Sequence, residues 1–289
     1  MNSLTIKILR LFLLWHMTLS LMVGKSTNDL PNMIVIMCDD LGYADVGFNG
    51  CKDIPTPNID SIAQNGVKCT SGYVAYPVCG PSRAGFITSR YPQRFGFERN
   101  PQYRPFDPDM GLTREEKTIA ELLRPVGYQS GIIGKWHLGA HIPSSHPMKR
   151  GFDEFYGFTS GHWGNYYDPI IENNGEITRG KGYISDDITN KAISFIKNSE
   201  KSFFTYVSYN TPHSPMQVPE RYLKDKNIVL QGRYSDKENI KKTEAALAMV
   251  ENLDYNVGKV IDSLKKYKLY ENTIIIYFSD NGPNGNRWN

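Results

Sequence analysis

Four short runs at residues 33–38, 129–133, 203–209 and 273–278, largely apolar apart from Gln129-Ser130-Gly131 in the second, limit the possible folds of this chain more than any other feature. Runs of this length without polar alternation fit strands covered on both faces, as in a parallel sheet between helical layers. The intervals carry helical patterns at 58–64, 82–89, 118–123, 186–196 and 245–264. In the last, Met249, Leu253, Val257, Val260, Ile261 and Leu264 recur at helical spacing and read as core. The alternation predicts an α/β domain with a mainly parallel central sheet and helices on both faces. Residues 141–182 are rich in Gly, Pro, Asn and aromatics and lack sustained periodicity, so they are expected to loop over one end of the sheet. A chain of 289 residues with 40% hydrophobic content can bury a substantial core, and no repeat or linker divides it.

Ligands of open α/β sheets sit beyond the carboxyl ends of the strands. Polar residues gather at those ends here: Asp39 and Asp40, Lys135 and His137, His213, and Asp280 with Asn281. Asp39, Asp40, Asp280 and Asn281 offer only oxygen, which suits a hard divalent cation rather than zinc or copper. An irregular set of carboxylates plus an amide fits Ca²⁺ better than Mg²⁺. Taken singly, each acidic pair could be a turn or a helix cap, Lys135 a surface lysine, and His213 a histidine in a proline-stiffened turn. Their recurrence after successive apolar runs is what points to a site.

The stretch Cys79-Gly80-Pro81-Ser82-Arg83, continued by residues 84–90, couples a cysteine to Pro, Ser and Arg at fixed offsets. An isolated cysteine reads as a small buried hydrophobe. Here Pro81 suits the first turn of a helix, whose free N–H groups favour an anion beside Cys79, and Arg83 adds a charge that does not titrate away. The run resembles the signature of the type I sulfatases, in which the cysteine of C-x-P-S-R is oxidised to formylglycine, an aldehyde whose hydrate is the nucleophile. Phe86 and Ser89 stand where Leu and Gly are usual.

That resemblance implies an alkaline-phosphatase-like fold and hydrolysis of sulfate esters, on sulfated carbohydrates or aryl sulfates. It implies one calcium ion held by Asp39, Asp40, Asp280, Asn281 and an oxygen of the formylglycine made from Cys79. Lys135-Trp136-His137 is similar to the family's K-x-H element, which gives Lys135 a sulfate oxygen and His137 a proton of the hydrate. Residues 211–215, Thr-Pro-His-Ser-Pro, resemble its P-H-x-P element, which makes His213 the general acid, while Arg83 supports the nucleophile. The implied partners are a sulfated small molecule or glycan and a formylglycine-generating maturase. His162, Trp163, Asn165 and Tyr166 in the irregular segment are candidates to meet the organic part of a substrate. The resemblance begins near Asn32 and ends before a second sulfate-binding lysine and a C-terminal antiparallel subdomain. Residues 25–289 are therefore expected to form a truncated N-terminal catalytic domain. Two other readings are a phosphate or phosphonate monoester hydrolase of the same superfamily, and a non-catalytic calcium- and anion-binding protein.

Lys7 and Arg10 precede an apolar run from Leu11 to Val23 and a polar stretch after it, so residues 1–24 read as a signal peptide, with an uncleaved anchor as the other reading. Export to the periplasm, the cell surface or the medium follows. Without those residues the 33 basic side chains lose Lys7 and Arg10 against 30 acidic ones, and the formal +3 falls to +1. A near-neutral chain with no basic stripe gives no reason to expect nucleic acid, and no stable membrane partner is expected. Cys51 and Cys69 are a possible disulfide, Cys38 reads as a buried free thiol, and the spacings fit no zinc pattern.

Overall fold

The computed structural model describes residues 30–102, 107, 109–162, 164–223 and 237–283. The segment read as a signal peptide lies outside the described residues, as do Trp163 and residues 284–289. The fold below belongs to the compact unit Pro31–Asn289.

Among the described residues seven strands form one sheet: β1 (Asn32–Cys38), β2 (Gln129–Lys135), β3 (Glu154–Phe158), β4 (Ile170–Asn173), β5 (Glu176–Arg179), β6 (Phe203–Ser208) and β7 (Thr273–Ser279), in the order β5-β4-β3-β2-β6-β1-β7. The five strands from β3 to β7 across the sheet are parallel, and β4 and β5 add an antiparallel edge. Five α-helices among the described residues lie against its two faces: α1 (Pro57–Gln64), α2 (Cys79–Thr88), α3 (Ile119–Leu123), α4 (Ile184–Asn198) and α5 (Lys237–Lys266). Alternate residues of β1 face opposite cores. Ile34, Ile36 and Cys38 pack with α1, α4 and α5, whereas Val35 and Met37 pack with α2 and α3.

The inner strands β1, β2 and β6 are buried on both faces because helices lie on both, which is why an apolar run such as β1 does not alternate, whereas edge strand β7 is apolar from Ile274 to Phe278 yet leaves Ile274 and Ile276 exposed. The stripe along α5 is buried as expected, with Met249, Leu253, Val257, Val260 and Leu264 all 0% exposed. Cys38 is a buried free thiol, pushed up to about 12 by burial, with its Sγ 3.3 Å from the Tyr277 hydroxyl.

Three expectations are corrected. Residues 141–182 are not a loop throughout, because β3, β4 and β5 lie within them. These strands are four or five residues long, too short for a period to emerge, and β4 and β5 are joined by Asn174-Gly175 with φ of 54° and 97°. That dipeptide is a strong hairpin signal, and it marks the turn that periodicity misses. β2 runs two residues beyond the apolar stretch, through Gly134 and Lys135. Gly134 has φ of 119°, and a Cβ there would stand 1.9 Å from the Ser208 carbonyl oxygen, so the strand needs glycine for this close approach. Finally, Cys51 and Cys69 are not bridged: Cys51 packs against the core and Cys69 lies in the exposed stretch 64–74.

Candidate active site

The register of the sheet brings the carboxyl ends of four strands into one row. Cys38 pairs with Ser279, Met37 with Ser208, and Gly134 with Ser208. The next residues therefore emerge side by side: the Asp280 N–H donates to the Cys38 carbonyl (3.0 Å) and the Asp39 N–H to the Thr211 carbonyl (3.1 Å). Helix α2 points its first residue at this row. Val78 is extended, Cys79 is the first helical residue, and the Gly80 N–H donates to the Asn100 side-chain oxygen at 2.8 Å. Pro81 lies in the first turn, where its missing N–H costs no helical bond. The result sets Cys79 Sγ 3.4 Å from Asp39 Oδ1 and 3.8 Å from Asp40 Oδ1. Ligand atoms of Asp39, Asp40, Cys79 and Asp280 all lie within 4.8 Å of one another, and all four residues are buried.

One turn along the helix, Arg83 faces the same way as Cys79. Its guanidinium is buried and contacts Asp280 through Nη2 (2.8 Å) and Nε (2.9 Å). Nη1 donates to Ser208 Oγ (2.5 Å), and that hydroxyl donates to the Lys135 carbonyl (2.6 Å). Lys135 Nζ donates to Asp39 Oδ2 at 2.7 Å. Arg83 therefore ties the helix carrying Cys79 to the ends of β2, β6 and β7. Asp40 and His137 both have φ of 60°, a left-handed conformation uncommon for non-glycine residues and concentrated at functional sites.

Burial of three carboxylates together shapes the electrostatics. Burial, then the charge of Asp39, raises the Asp280 carboxyl to about 7. Burial also works to raise Asp39, but Lys135, His213 and Arg83 outweigh it and hold Asp39 far below the usual carboxylate range. The Cys79 thiol is pushed well up, first by burial and then by the Asp39 charge, so as a thiol it is a poor nucleophile at neutral pH. Three carboxylates against Arg83 and Lys135 leave one net negative charge, and a divalent cation would turn it into one net positive charge.

The residues present fit such a cation. Asn281 donates its Nδ2 to Asp40 Oδ1 (2.6 Å) and the Gly282 carbonyl (2.9 Å), while its Oδ1 is buried and makes no hydrogen bond among the described residues. A buried acceptor of this kind beside three carboxylates suits an oxygen-seeking ion of flexible coordination.

Two imidazoles flank the cluster. His137 is 4% exposed, and burial, then Lys135 and Arg83, keep it neutral well below the usual histidine range. Its Nδ1 is buried with no hydrogen-bond partner among the described residues. Gly161 lies against its ring: a Cβ there would stand 1.9 Å from Nε2. His213 is half-buried, with Nε2 3.7 Å from Asp40 Oδ2. It shares an open cleft of ≈ 420 Å³ with Asp40, Val78, Cys79, Asn281 and Pro283. All nine residues expected at the site thus gather at one end of the sheet. Of the candidates to meet substrate, His162 lies beside His213 with ring centroids 5.4 Å apart, and Asn165 is exposed. Tyr166 is corrected: it is 1% exposed and its hydroxyl points at backbone carbonyls, so it is closed to substrate. Sequence reasoning missed Ser208, Asn100 and Gly161, since a serine ending a strand, a loop asparagine and a loop glycine carry no signal of their own.

A family model described as Sulfatase matches residues 31–287. The N-acetylgalactosamine-6-sulfatase of Mus musculus is 33% identical over 278 residues, covering 87% of this chain and 50% of that protein. Arylsulfatase J of Mus musculus is 34% identical over 284 residues, covering 92% and 45%. Among solved structures, Ps i-CgsB superposes with a TM-score of 0.80 at 37% identity, covering 90% of this chain and 60% of that one. A second structure of that protein, in complex with k-i-k-neocarrahexaose, gives a TM-score of 0.77 at 36% identity over the same shares. The chain spans about half the length of the curated relatives it matches.

Proposed function

Because this chain belongs to the sulfatase family, we propose that it hydrolyses sulfate esters with residue 79 as the nucleophile, its substrates being sulfated carbohydrates or aryl sulfates. One observation carries this above the others: Cys79 opens a helix with its sulfur within 4 Å of Asp39 and Asp40 and with Arg83 one turn behind it. An inert buried cysteine has no use for three carboxylates and a guanidinium.

Sulfatases are generally calcium-binding and use formylglycine. Asp39, Asp40, Asp280, Asn281 and residue 79 would hold the calcium, which when bound supplies charge to an oxygen of residue 79 and to the sulfuryl group. Converted to formylglycine and hydrated, residue 79 supplies two geminal hydroxyls, one to attack sulfur and one whose loss of a proton releases sulfate. The raised Cys79 pKa gives a reason for conversion, because the thiol is held neutral where it stands.

The chain's own residues do the rest. Lys135 sits in the row beside Asp39 and offers its ammonium to a sulfate oxygen. Arg83 holds Asp280 and fixes the helix, so residue 79 stays aimed at the cleft. His213, with Nε2 toward the cleft, donates a proton to the departing oxygen, a contribution of order 10²–10⁴ in rate. His137, neutral across physiological pH, takes the proton from the second hydroxyl. A site left with only one net positive charge after binding a divalent ion matches a monoanionic sulfate ester better than a dianionic phosphate.

Carbohydrate is the substrate class placed first, because a solved neighbour holds k-i-k-neocarrahexaose and several relatives are N-acetylgalactosamine-6-sulfatases. A maturase that oxidises Cys79 is the required partner. Export is the proposed location, and no helix among the described residues is long and apolar enough to cross a membrane. Sulfate release from 4-nitrophenyl sulfate and from sulfated galactosides tests the proposal. The chain should act on at least one with calcium present, and Cys79→Ala should abolish turnover while retaining the fold. Unchanged turnover by Cys79→Ala, or hydrolysis of matched phosphate esters in preference, would refute it.

A further inference from the structure

The Tyr166 phenol sits where three backbone carbonyls converge: those of His213 at 2.7 Å, Ser214 at 3.0 Å and Asn210 at 3.2 Å. A phenol has one proton to donate, and this one lies at the centre of the turn that presents His213. The Ser214 carbonyl has a second role. It lies 2.7 Å from His213 Nδ1, and since a carbonyl can only accept, Nδ1 must carry the hydrogen. Nε2 is then the nitrogen left for the cleft, 3.7 Å from Asp40 Oδ2. The carbonyl that fixes the imidazole is therefore itself held by the Tyr166 hydroxyl.

The other end of Tyr166 is anchored. Its carbonyl accepts from the Ile184 N–H at the start of α4 (2.8 Å), and its N–H donates to Gln217 Oε1 (2.8 Å). Tyr183, next to Ile184, packs its ring edge-on at 6.4 Å and donates its hydroxyl to the Gln217 carbonyl (2.7 Å). A 15-residue helix packed on the sheet thus holds one side of Tyr166, and the turn holds the other.

We infer that Tyr166 is a positioning residue whose hydroxyl, through the Ser214 carbonyl, holds the His213 imidazole with Nε2 toward the leaving oxygen. This rests on the sulfate-ester reading of the site. Without the hydroxyl, three carbonyl dipoles would face one another across a buried space, and the turn would relax to separate them. His213 would then lose its alignment while residue 79, the acidic cluster and His137 kept theirs. A proton donor matters most when the leaving alcohol is a poor leaving group, as a sugar alcohol is. A nitrophenolate departs without needing the proton.

The test compares wild type, Tyr166→Phe and Tyr183→Phe, made in a host that matures Cys79, on 4-nitrophenyl sulfate and on a sulfated galactoside. Tyr166→Phe should lose about tenfold more kcat on the glycosyl than on the aryl ester, a part of the range that general acids contribute. KM should change little. Tyr183→Phe, which removes a hydroxyl from the same cluster without freeing the carbonyls at His213, should leave the ratio of the two activities at its wild-type value. Hydrogen exchange should rise at residues 210–217 in Tyr166→Phe alone. Should Tyr166→Phe not fold, Gln217→Met releases the Tyr166 N–H and should give the same selective loss in milder form. Equal losses on both esters, or unchanged exchange at 210–217, would overturn the role of Tyr166 while leaving the sulfate-ester reading intact. A mature wild-type chain that cleaves neither ester overturns the sulfate-ester reading, and the role of Tyr166 falls with it.

Discussion

Gly161→Ala probes the work of His137 without replacing any ionisable group. The added methyl would lie 1.9 Å from His137 Nε2, 2.2 Å from Cε1 and 2.4 Å from Cδ2. Ordinary contact begins near 3.4 Å, so the ring must withdraw by about 1.5 Å, the difference of the two distances. It has nowhere easy to go: the residue is 4% exposed and its ring hydrogen-bonds the backbone at Pro101. Displacement of a reacting group by about 1 Å can cost ~10²-fold, and a proton-transfer group is worth ~10²–10⁴-fold, so kcat should fall at least ~10²-fold. Overpacking should also lower stability by ~1–3 kcal/mol, leaving a folded protein to measure. Single-turnover experiments sharpen the assay, because His137 is assigned to sulfate release and not to cleavage. The alcohol should appear in a burst of one equivalent, with sulfate lagging behind. Turnover within twofold of wild type, or loss of the burst together with the steady rate, would refute the role given to His137.

Other outcomes follow from the same geometry. Removal of calcium by a chelator should abolish turnover and make stability depend on pH. Asp280 is raised from 3.8 to about 7 in the metal-free fold, so the folded state holds a proton that the unfolded state has lost. That stabilisation is complete below 3.8 and disappears as pH rises through about 7; the opposite shift of Asp39 acts only below 3.8. His137, kept neutral by burial, acts in the opposite sense below 6.5, so the readout that isolates Asp280 is the rise in melting temperature on adding calcium: it should grow from pH 5 to pH 8 as the proton leaves Asp280, and an equal rise at both pH values would contradict it. Ser208→Ala should lower kcat with little change in KM, since it removes the hydroxyl linking Arg83 Nη1 to the Lys135 carbonyl, and a kinetic titration would show it. Asp254→Ala should cost ~1–2 kcal/mol in denaturant unfolding without altering kcat, because Asp254 accepts from the Ile59 N–H (2.8 Å) and the Asn58 amide (2.8 Å) and so caps α1 from α5. An unchanged midpoint would show that the cap contributes nothing.

The parallel part of the sheet was legible because its inner strands are covered on both faces, and such burial writes itself into sequence as a largely apolar run, most clearly in β1; β7 reads the same way although Ile274 and Ile276 are exposed at the edge. The edge hairpin was not. In β5 every residue is exposed, so no core selected its side chains, and only Asn174-Gly175 marked the turn. Site residues stood out where their chemistry is conspicuous: paired acids, a lysine and histidines directly after apolar runs, and a cysteine with an arginine one helical turn away. Supporting residues did not, for the opposite reason. Ser208, Asn100 and Gly161 act through a hydroxyl, an amide and an absent side chain, and each becomes meaningful only when distant segments are brought against it; Tyr166 stood out as a substrate contact, but its phenol is turned inward to backbone carbonyls. Lys135 was found as a polar residue after a strand, yet it is the strand's last residue, fully buried by its pairing with Asp39.

The chemical state of residue 79 is the point on which everything else turns. A mass spectrum of the peptide containing that residue, taken from protein made in its native host, reads it directly. An aldehyde in place of the thiol, reactive toward hydrazides and lost in Cys79→Ala, is the expected result. A peptide carrying only an intact thiol, from a preparation that nonetheless releases sulfate, would contradict the account.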